Sequence, residues 1–435
     1  MPRPLLIRLV VTLLVGLGLL AGTHIPPPLV SPQLLAMGGD VGFNAARALG
    51  PLSLGITPYL TAFVLVEIVA LIAPNWRQRR HQSAALRATL KRAALMLGVL
   101  ASALQSYTLA LYLESFAQQY GHDVGVHWLP SSGLGYRLLL ALTLTAGSAI
   151  WVLAAEAISR WGVGNGYALA IALTALASAS DRVHRAAISL LGGQLAPREL
   201  VIAIGVTSAI AVGVWLLLRR QPRTEAVPGL RVPSCGVVPL ELAATLLLVP
   251  ALLKNWFDWS WLTAATQRLV PGSNLFSALE LALVALAAPL CARLFYWREV
   301  PGWRGPGRAR GWRRALWMSL GFLLALVAVR QLIGRVSANS LVLLPSLITL
   351  PIVVAIAADL WDELLARWHA AGGRDLVPQQ SFQHVTSALT HLAAARTGSG
   401  AVLRGLHYRS LVYFFGPFVP VVLLAVDDAA GSDRN

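Results

Sequence analysis

Residues 54–74 read LGITPYLTAFVLVEIVALIAP, an apolar stretch that opens on a Gly-x-x-Pro pattern and carries a carboxylate, Glu67, near its centre. Its length matches the ~20 residues that an α-helix needs to cross the hydrocarbon layer of a bilayer. The stretch therefore predicts a membrane-spanning helix. Because a carboxylate at the bilayer centre costs about 3 kcal/mol, we expect Glu67 to face other helices or a wet cavity rather than lipid.

The whole chain has the composition of a polytopic membrane protein. Of its 435 residues 56% are hydrophobic and only 12% are charged, whereas soluble domains carry about 25% charged residues. The fifth of its long apolar runs is short for a full crossing, and the first is expected to be a retained span rather than a cleaved signal peptide. The ten runs are Leu5–Ala21, Ile56–Ala73, Ala93–Leu113, Leu138–Ile158, Gly166–Ser178, Leu200–Leu218, Gly236–Leu253, Leu275–Phe295, Ala315–Ile333 and Leu341–Leu360.

The distribution of charge predicts the orientation of these spans. The net charge is +16, and the arginines concentrate in 77–92, 219–231 and 298–314, the short loops after the second, sixth and eighth runs. The positive-inside rule places these loops, and the N-terminus, on the cytoplasmic side. Since the positive charge lies in loops between spans, it does not indicate a nucleic-acid-binding protein.

Two spans share one pattern. The second opens on Gly55-x-x-Pro58 and the seventh on Gly236-x-x-Pro239, and the seventh also carries a carboxylate, Glu241. Spans five positions apart cross the membrane in opposite directions. Matched Gly/Pro-interrupted segments of this kind indicate an inverted repeat with a pathway at the interface of its halves.

Alternatives remain for the acids and for the C-terminal tail. Glu67 either lines a pathway, on one helical stripe with Leu60 and Val64, or is a neutral acid hydrogen-bonded to a neighbouring helix, for example at Gln105. The polar tail contains one more apolar segment, 410–426, which is either interfacial or re-entrant, or an eleventh crossing.

Enzyme signatures are missing from the sequence. It has no H-E-x-x-H, G-x-S-x-G or Walker A motif, and the glycine-rich segment 162–166 lacks the preceding strand of a phosphate-binding loop. Its two cysteines, Cys235 and Cys291, are too few for a disulfide framework or a zinc site and are expected to be small buried apolar residues. We therefore predict no catalytic residue, no cofactor and no metal.

Six collinear segments carry a family resemblance. They are GTHIPPP at 22–28, residues 54–74, EAISRWGVGNG at 156–166, LRVPSCGVVP at 230–239, REVPGWRGPG at 298–307 and LPIVVAIAADL at 350–360. In order and topology they resemble the signature segments of the SecY family of protein-translocation channels, over roughly residues 15–365. Any one of these segments alone would be weakly specific.

The resemblance implies an all-α channel of ten transmembrane helices in two inverted five-helix halves. The halves are 1–180, with a plug segment at 38–50, and 199–365, followed by the tail 366–435. A ring of side chains narrows the pore of the family, and a lateral gate opens between spans two and seven. The implied pore ring is Leu60, Val64, Tyr167, Ile171, Glu241 and Ile352; the implied gate residues are Glu67, Gln105, Pro58 and Pro239; the implied cytoplasmic docking residues are Arg304, Arg308, Arg310, Arg220 and Arg223.

The implied function is the passage of unfolded secretory polypeptides across, or sideways into, a bacterial plasma membrane. The implied partners are SecE-like and SecG-like small membrane subunits, membrane lipid, and a SecA-like motor or a ribosome. Several departures from the family pattern bear on this function: Glu241 is an acid in a normally apolar ring, Tyr167 is bulkier than usual, and the loop after span six has only about fifteen residues. The shortened loop puts motor docking in question.

Two rival functions remain. One is an ion- or proton-coupled secondary transporter that uses Glu67 and Glu241. The other is a non-conducting homologue that only chaperones membrane helices, in which the plug and the ring would be dispensable.

Overall fold

A computed structural model describes most of the apolar part of the chain. The described residues are 3–25, 50–73, 75–76, 83–124, 132–193, 196–219, 236–254, 259–269, 273–299, 316–317, 320–329, 331, 349–371 and 415. Within these ranges the regular secondary structure is helical. The helices are α1 Arg3–Gly22, α2 Thr57–Ile72, α3 Ala84–Val124, α4 Leu134–Trp161, α5 Gly166–Leu191, α6 Pro197–Arg219, α7 Val238–Lys254, α8 Ser260–Arg268, α9 Asn274–Glu299, α10 Leu320–Val329 and α11 Thr349–Ala371.

Four of these helices are long and apolar enough to cross a membrane. The crossing segments are Ala85–Leu111, Leu134–Trp161, Pro197–Leu216 and Asn274–Leu294. The apolar part of α5 covers only Gly166–Ala179, as the short fifth run predicts. A membrane protein built of helices is therefore confirmed in the described residues, while ten crossings in two inverted halves stay a prediction.

The chain divides into two compact units, one that includes residues 1–181 and one that includes residues 182–361. In the first unit α2 packs against α3, α3 packs against α4, and α1 packs against α4. In the second unit α7 packs against α8 and α9. The domain boundaries expected from the sequence, 1–180, 199–365 and 366–435, stay a prediction.

The segment before α2 packs directly on α4. Two side chains of α4 donate hydrogen bonds to it, and a glycine of α4 leaves room for its backbone. Ser148 Oγ donates a hydrogen bond to Gly55 O at 2.8 Å, and Trp151 Nε1 donates to Leu52 O at 3.0 Å. At Gly147 an added Cβ would overlap the carbonyl oxygen of Pro51 and lie 2.6 Å from its carbon. A glycine at 147 therefore lets the backbone of residues 50–56 lie directly on α4, and this contact fixes where α2 begins.

Helix α1 is attached to the turn between α4 and α5. Thr12 Oγ1 accepts a hydrogen bond from Val163 N at 2.8 Å, and Arg8 Nη1 donates to Gly162 O at 3.3 Å. At Gly162 a Cβ would lie 2.5 Å from Thr12 Oγ1, so glycine is needed for this approach too. These contacts connect positions more than 150 residues apart. They attach α1 to the rest of the first unit.

The second unit has an apolar core made by three helices. Cys291 is buried in this core, which confirms the expectation for that residue; Cys235 lies outside the described residues. Gln331 Nε2 also donates to Ser277 O at 3.1 Å, which connects the segment after α10 to α9. The core consists of Leu240, Ala243, Val284, Ala288, Cys291, Ala292, Leu323, Leu326 and Val327.

Helix α8 is not predicted by the sequence analysis. It has nine residues, SWLTAATQR, and neither an apolar run nor a clear helical stripe. Leu262 is its buried residue, while Trp259 and Trp261 stack on each other with ring centroids 5.8 Å apart and are exposed. One buried leucine and the packing on α7 are sufficient to order a segment that carries too little apolar sequence to be recognised.

Candidate pore and gate elements

The two matched Gly-x-x-Pro patterns form the same local structure. Gly55 has φ +59° and Gly236 has φ +61°, both in the left-handed region that favours glycine. Two residues later a helix begins, and its second residue is a buried proline, Pro58 in α2 and Pro239 in α7. Proline suits the first turn of a helix because its missing N–H has no partner there in any case. The spacing noted in the sequence is thus a repeated conformation, a left-handed glycine turn that leads into a proline-started helix.

Helix α2 has one buried face and one exposed face. Of the residues expected in a pore ring, Leu60 is buried and Val64 is half-buried, whereas Leu65 is 47% exposed. The exposed face is aliphatic throughout its central part, as a surface in contact with lipid requires. Leu60 and Val64 therefore lie on the side of α2 that turns towards the protein.

Glu67 is buried in the first unit with 3% of its surface exposed. It lies on the same side of α2 as Leu60, seven residues or two turns away. Gln105 lies on an exposed face of α3. The carboxyl of Glu67 is thus shielded from lipid by neighbouring helices, which is where an acid in a membrane helix is expected.

Helix α5 supplies two further residues of the expected ring, Tyr167 and Ile171, and both are buried. They lie one helical turn apart and so share a face. The ring of Phe63 on α2 meets the ring of Tyr167 edge to face, with centroids 5.5 Å apart. The structure therefore brings α2 and α5 together at the level of Tyr167.

The phenol of Tyr167 is part of a polar cluster that sequence analysis missed. Tyr167 Oη donates a hydrogen bond to Glu156 Oε1 at 2.5 Å. Lys91 Nζ lies 2.9 Å from the same oxygen and 3.1 Å from Glu156 Oε2. The cluster joins α3, α4 and α5. Lys91 and Glu156 are 65 positions apart in the sequence, so no local pattern reveals the pair.

A second carboxylate joins α3 to α4 at another level. Glu114 is buried, and its two oxygens accept hydrogen bonds from Gly133 N and Arg137 Nε, each at 2.7 Å. The arginine makes the contact an ion pair as well. Together with the Lys91–Glu156 pair it fixes the register of the two helices.

The glycine-rich turn at 162–166 is a helix junction. Asn165 Oδ1 accepts hydrogen bonds from Tyr167 N at 3.0 Å and Ala168 N at 3.2 Å, and Ser159 Oγ accepts one from Gly166 N at 2.9 Å. The backbone donors that a phosphate would need are thus used within the turn. A Cβ at Gly166 would lie 2.6 Å from the carbonyl carbon of Ala155, so this glycine permits the close approach of α4 and α5.

The second unit holds the remaining expected site residues that are described. Ile352 on α11 is fully buried, and Glu241 is the fourth residue of α7, with its side chain outside the description. Two further acids, Glu280 on α9 and Asp359 on α11, are buried although sequence analysis did not single them out. In the part of the chain that the structure describes, no cluster of three His, Cys, Asp or Glu side chains has the arrangement of a metal site.

Several expected elements lie outside the described residues. They are the plug segment 38–50 apart from Gly50, the docking residues Arg220, Arg223, Arg304, Arg308 and Arg310, and the apolar segment 410–426 apart from Phe415.

A sequence model of the SecY family matches residues 52–297, more than half of the chain. The match begins at the segment that leads into α2, contains both glycine turns and ends within α9. This chain belongs to the SecY family.

Relatives in this family are distant in sequence. Protein translocase subunit SecY of Aquifex aeolicus (strain VF5) is 24% identical over 308 residues, which cover 64% of this chain and 71% of the relative. Protein translocase subunit SecY of Pseudomonas aeruginosa PAO1 is 23% identical over 288 residues, which cover 58% of this chain and 63% of the relative. The matches thus span about two thirds of the length of these SecY proteins.

The fold is also shared with a solved structure. The chain of "Sec61 in the Canine ribosome-channel complex from the endoplasmic reticulum" superposes with a TM-score of 0.51 and 14% sequence identity, over 86% of this chain and 95% of that chain. At this identity the likeness concerns the fold alone. The likeness of fold therefore covers more of the chain than residues 52–297.

Proposed function

We propose that this chain is the pore-forming subunit of a protein-conducting channel, which passes unfolded polypeptides across a bacterial plasma membrane or sideways into it. The observation that carries the proposal is membership of the SecY family over a region that contains both glycine turns and the helices that follow them. The curated relatives in this family are named as protein translocase subunits. The channel itself performs no covalent chemistry in this proposal.

In the proposed architecture two inverted five-helix halves surround an hourglass pore. The ring of Leu60, Val64, Tyr167, Ile171, Glu241 and Ile352 closes the pore, and the plug 38–50 blocks its outer funnel. Leu60, Ile171 and Ile352 are buried and Val64 is half-buried, which supports a seal formed by apolar side chains. Such constrictions exclude ions by dewetting. The gate is the seam between α2 and α7, and each of these helices starts from a left-handed glycine that can serve as a hinge.

The proposed partners follow from the family and from the arginine-rich loops. A SecE-like helix clamps the halves, and a SecG-like subunit is a second small membrane partner. A SecA-like motor or a ribosome docks through the arginine-rich loops, at Arg304, Arg308, Arg310, Arg220 and Arg223. The structural neighbour comes from a ribosome-channel complex. We propose a multi-pass protein of the plasma membrane with its N-terminus in the cytoplasm.

Site-specific photo-crosslinking tests the polypeptide substrate. A photoreactive residue is placed at Val64, on the protein-facing side of α2, and in a matched variant at the adjacent Leu65, which is 47% exposed. Each is challenged with a stalled secretory chain. We expect a crosslink from Val64 and none from Leu65. If a stably inserted protein gives no crosslink from either position, or equal crosslinking from both, the proposal that a polypeptide occupies this pore is wrong.

Neither the family match nor the relatives named as translocase subunits support a coupled secondary transporter. The two functions are separated by neutralising the acids with Glu67→Gln and Glu241→Gln. A transporter that couples through these carboxylates loses all activity, whereas a polypeptide pore retains translocation and crosslinking from Val64.

A further inference from the structure

Three helices of the first unit meet at one carboxylate, Glu156, to which neither the family resemblance nor the proposed function assigns a role. Lys91 of α3 lies 2.9 Å and 3.1 Å from its two oxygens, and Tyr167 of α5 donates to one of them. Lys91 is 27% exposed and Glu156 36% exposed, while Tyr167 is buried. The cluster thus runs from a partly solvated lysine to a phenol in the interior.

The orientation of the Tyr167 side chain is fixed from two sides. Its ring packs edge to face on Phe63 of α2, and its hydroxyl is held by Glu156 of α4. Its backbone N–H is held by Asn165 Oδ1 at 3.0 Å. A tyrosine in an apolar constriction brings a hydroxyl that must find a partner. Here the partner is a carboxylate on the neighbouring helix.

We propose that Glu156 is a positioning residue for the pore ring, which holds the phenol of Tyr167 against α4 so that the ring presents carbon, and not a hydroxyl, to the pore. This inference rests on the proposed function, since it assigns Tyr167 to the ring. If the hydroxyl loses its partner, it turns towards any water that it can reach, and a wetted constriction conducts ions. Glu156 therefore controls the tightness of the seal without touching the translocating chain.

Lys91 is the third member of this cluster, and it holds Glu156 from the side of α3. The carboxyl group of Glu156 is partly exposed, and the adjacent ammonium of Lys91 forms an ion pair with it. Of the 35 basic residues in the chain only two are lysine, and one of them is Lys91. The ammonium of Lys91 lies 2.9 Å from Glu156 Oε1, the oxygen that also accepts from Tyr167, and 3.1 Å from Oε2. The Lys91 contact thus holds the carboxyl group of Glu156 in place for Tyr167.

A double-mutant cycle on ion leak tests the inference. The full-length chain is reconstituted in vesicles, and leak is measured for wild type, Glu156→Ala, Tyr167→Phe and the double variant. Loss of a hydrogen bond to a charged group shifts the sealed state by on the order of tenfold, so we expect Glu156→Ala to leak on the order of tenfold more than wild type. Tyr167→Phe has no hydroxyl for Glu156 to hold, so adding Glu156→Ala to this variant should raise its leak less than about twofold, whatever the leak of Tyr167→Phe alone.

Two further variants separate positioning from general loosening of the fold. Glu156→Gln keeps an acceptor for the phenol, and we expect its leak to stay near that of wild type. Glu114→Ala removes the other carboxylate that joins α3 to α4, about 35 Å along α3 from Lys91. We expect it to lower thermal stability and leave the leak unchanged. An equal leak for Glu156→Ala with and without Tyr167→Phe would overturn the inference, because Glu156 would then act through helix packing alone.

Deletion of residues 38–50 distinguishes failure of this inference from failure of the proposed function. A channel that leaks on deletion of the plug but shows no coupling between Glu156 and Tyr167 is a pore in which the inference is wrong. A deletion variant that conducts nothing, with no crosslink from Val64, removes the pore and overturns both proposals.

Discussion

The contact between Gly147 and the segment before α2 allows a quantitative prediction. In Gly147→Ala the added Cβ meets the carbonyl group of Pro51, with its carbon 2.6 Å away. The obstacle is backbone on both sides, so no flexible side chain can move aside. The segment 50–56 must lift off α4, and with it go the hydrogen bonds donated by Ser148 and Trp151.

The magnitude follows from three contributions. Overpacking of a tight site costs about 1–3 kcal/mol. The two weakened hydrogen bonds add about 0.5–1.5 kcal/mol each, and the better helix propensity of alanine returns about 0.5–1 kcal/mol. We expect a net loss of about 1–5.5 kcal/mol, which corresponds to a fall in Tm of roughly 2–22 °C for a unit of this size. Because Gly55 is displaced together with the segment, polypeptide translocation should fall as well.

Thermal unfolding of the detergent-solubilised protein, followed by the monodisperse fraction at a fixed heating rate, measures the effect. The matched control is Gly135→Ala in the same helix, where nothing lies within 4 Å of the added Cβ. The control should be neutral or slightly stabilising. If Gly147→Ala has the Tm of Gly135→Ala, the close approach of Pro51 to α4 is wrong.

Three other predictions concern the packing of single residues. Gly166→Ala should lower Tm by an amount that corresponds to about 1–3 kcal/mol, because its Cβ would lie 2.6 Å from the carbonyl carbon of Ala155; an unchanged Tm would refute the close contact of α4 and α5. Trp151→Phe keeps the aromatic ring but leaves Leu52 O without its donor, and should cost about 1–3 kcal/mol in thermal unfolding; a stability equal to wild type would mean that this hydrogen bond contributes nothing. In Cys235→Ser, the remaining Cys291 should react with a maleimide only after denaturation, because it is buried in the core of the second unit. Rapid labelling of the folded protein would contradict that core.

Much of the fold could be predicted from the sequence because it depends on local signals. Apolar runs of about 20 residues predict helices in a membrane protein. The shared Gly-x-x-Pro spacing marked Gly55 and Gly236 as matched positions, although it did not predict their left-handed turns. The burial of Glu67 followed from the cost of placing a carboxylate in lipid. Each of these inferences needs only a short window of sequence and one physical rule.

The rest depends on contacts between distant positions. Nothing near Glu156 in the sequence indicates that Lys91 and Tyr167 would meet it from two other helices. The same holds for Gly147, which reads as an ordinary small residue in a membrane helix until Pro51 is seen lying on it. Helix α8 was missed for the opposite reason, since its nine residues carry too weak a pattern to recognise and are ordered by their neighbours.

The length of α3 has a consequence for how the molecule meets its surroundings. The helix has 41 residues, whereas its membrane-crossing segment ends at Leu111. The thirteen residues that follow, at 1.5 Å each, extend the helix by about 20 Å beyond that segment. With the predicted orientation this C-terminal extension of α3 lies on the outer side of the membrane, opposite the arginine-rich loops. The extension is therefore a helical epitope for an antibody, or a target for a protease, on the side where translocated chains emerge.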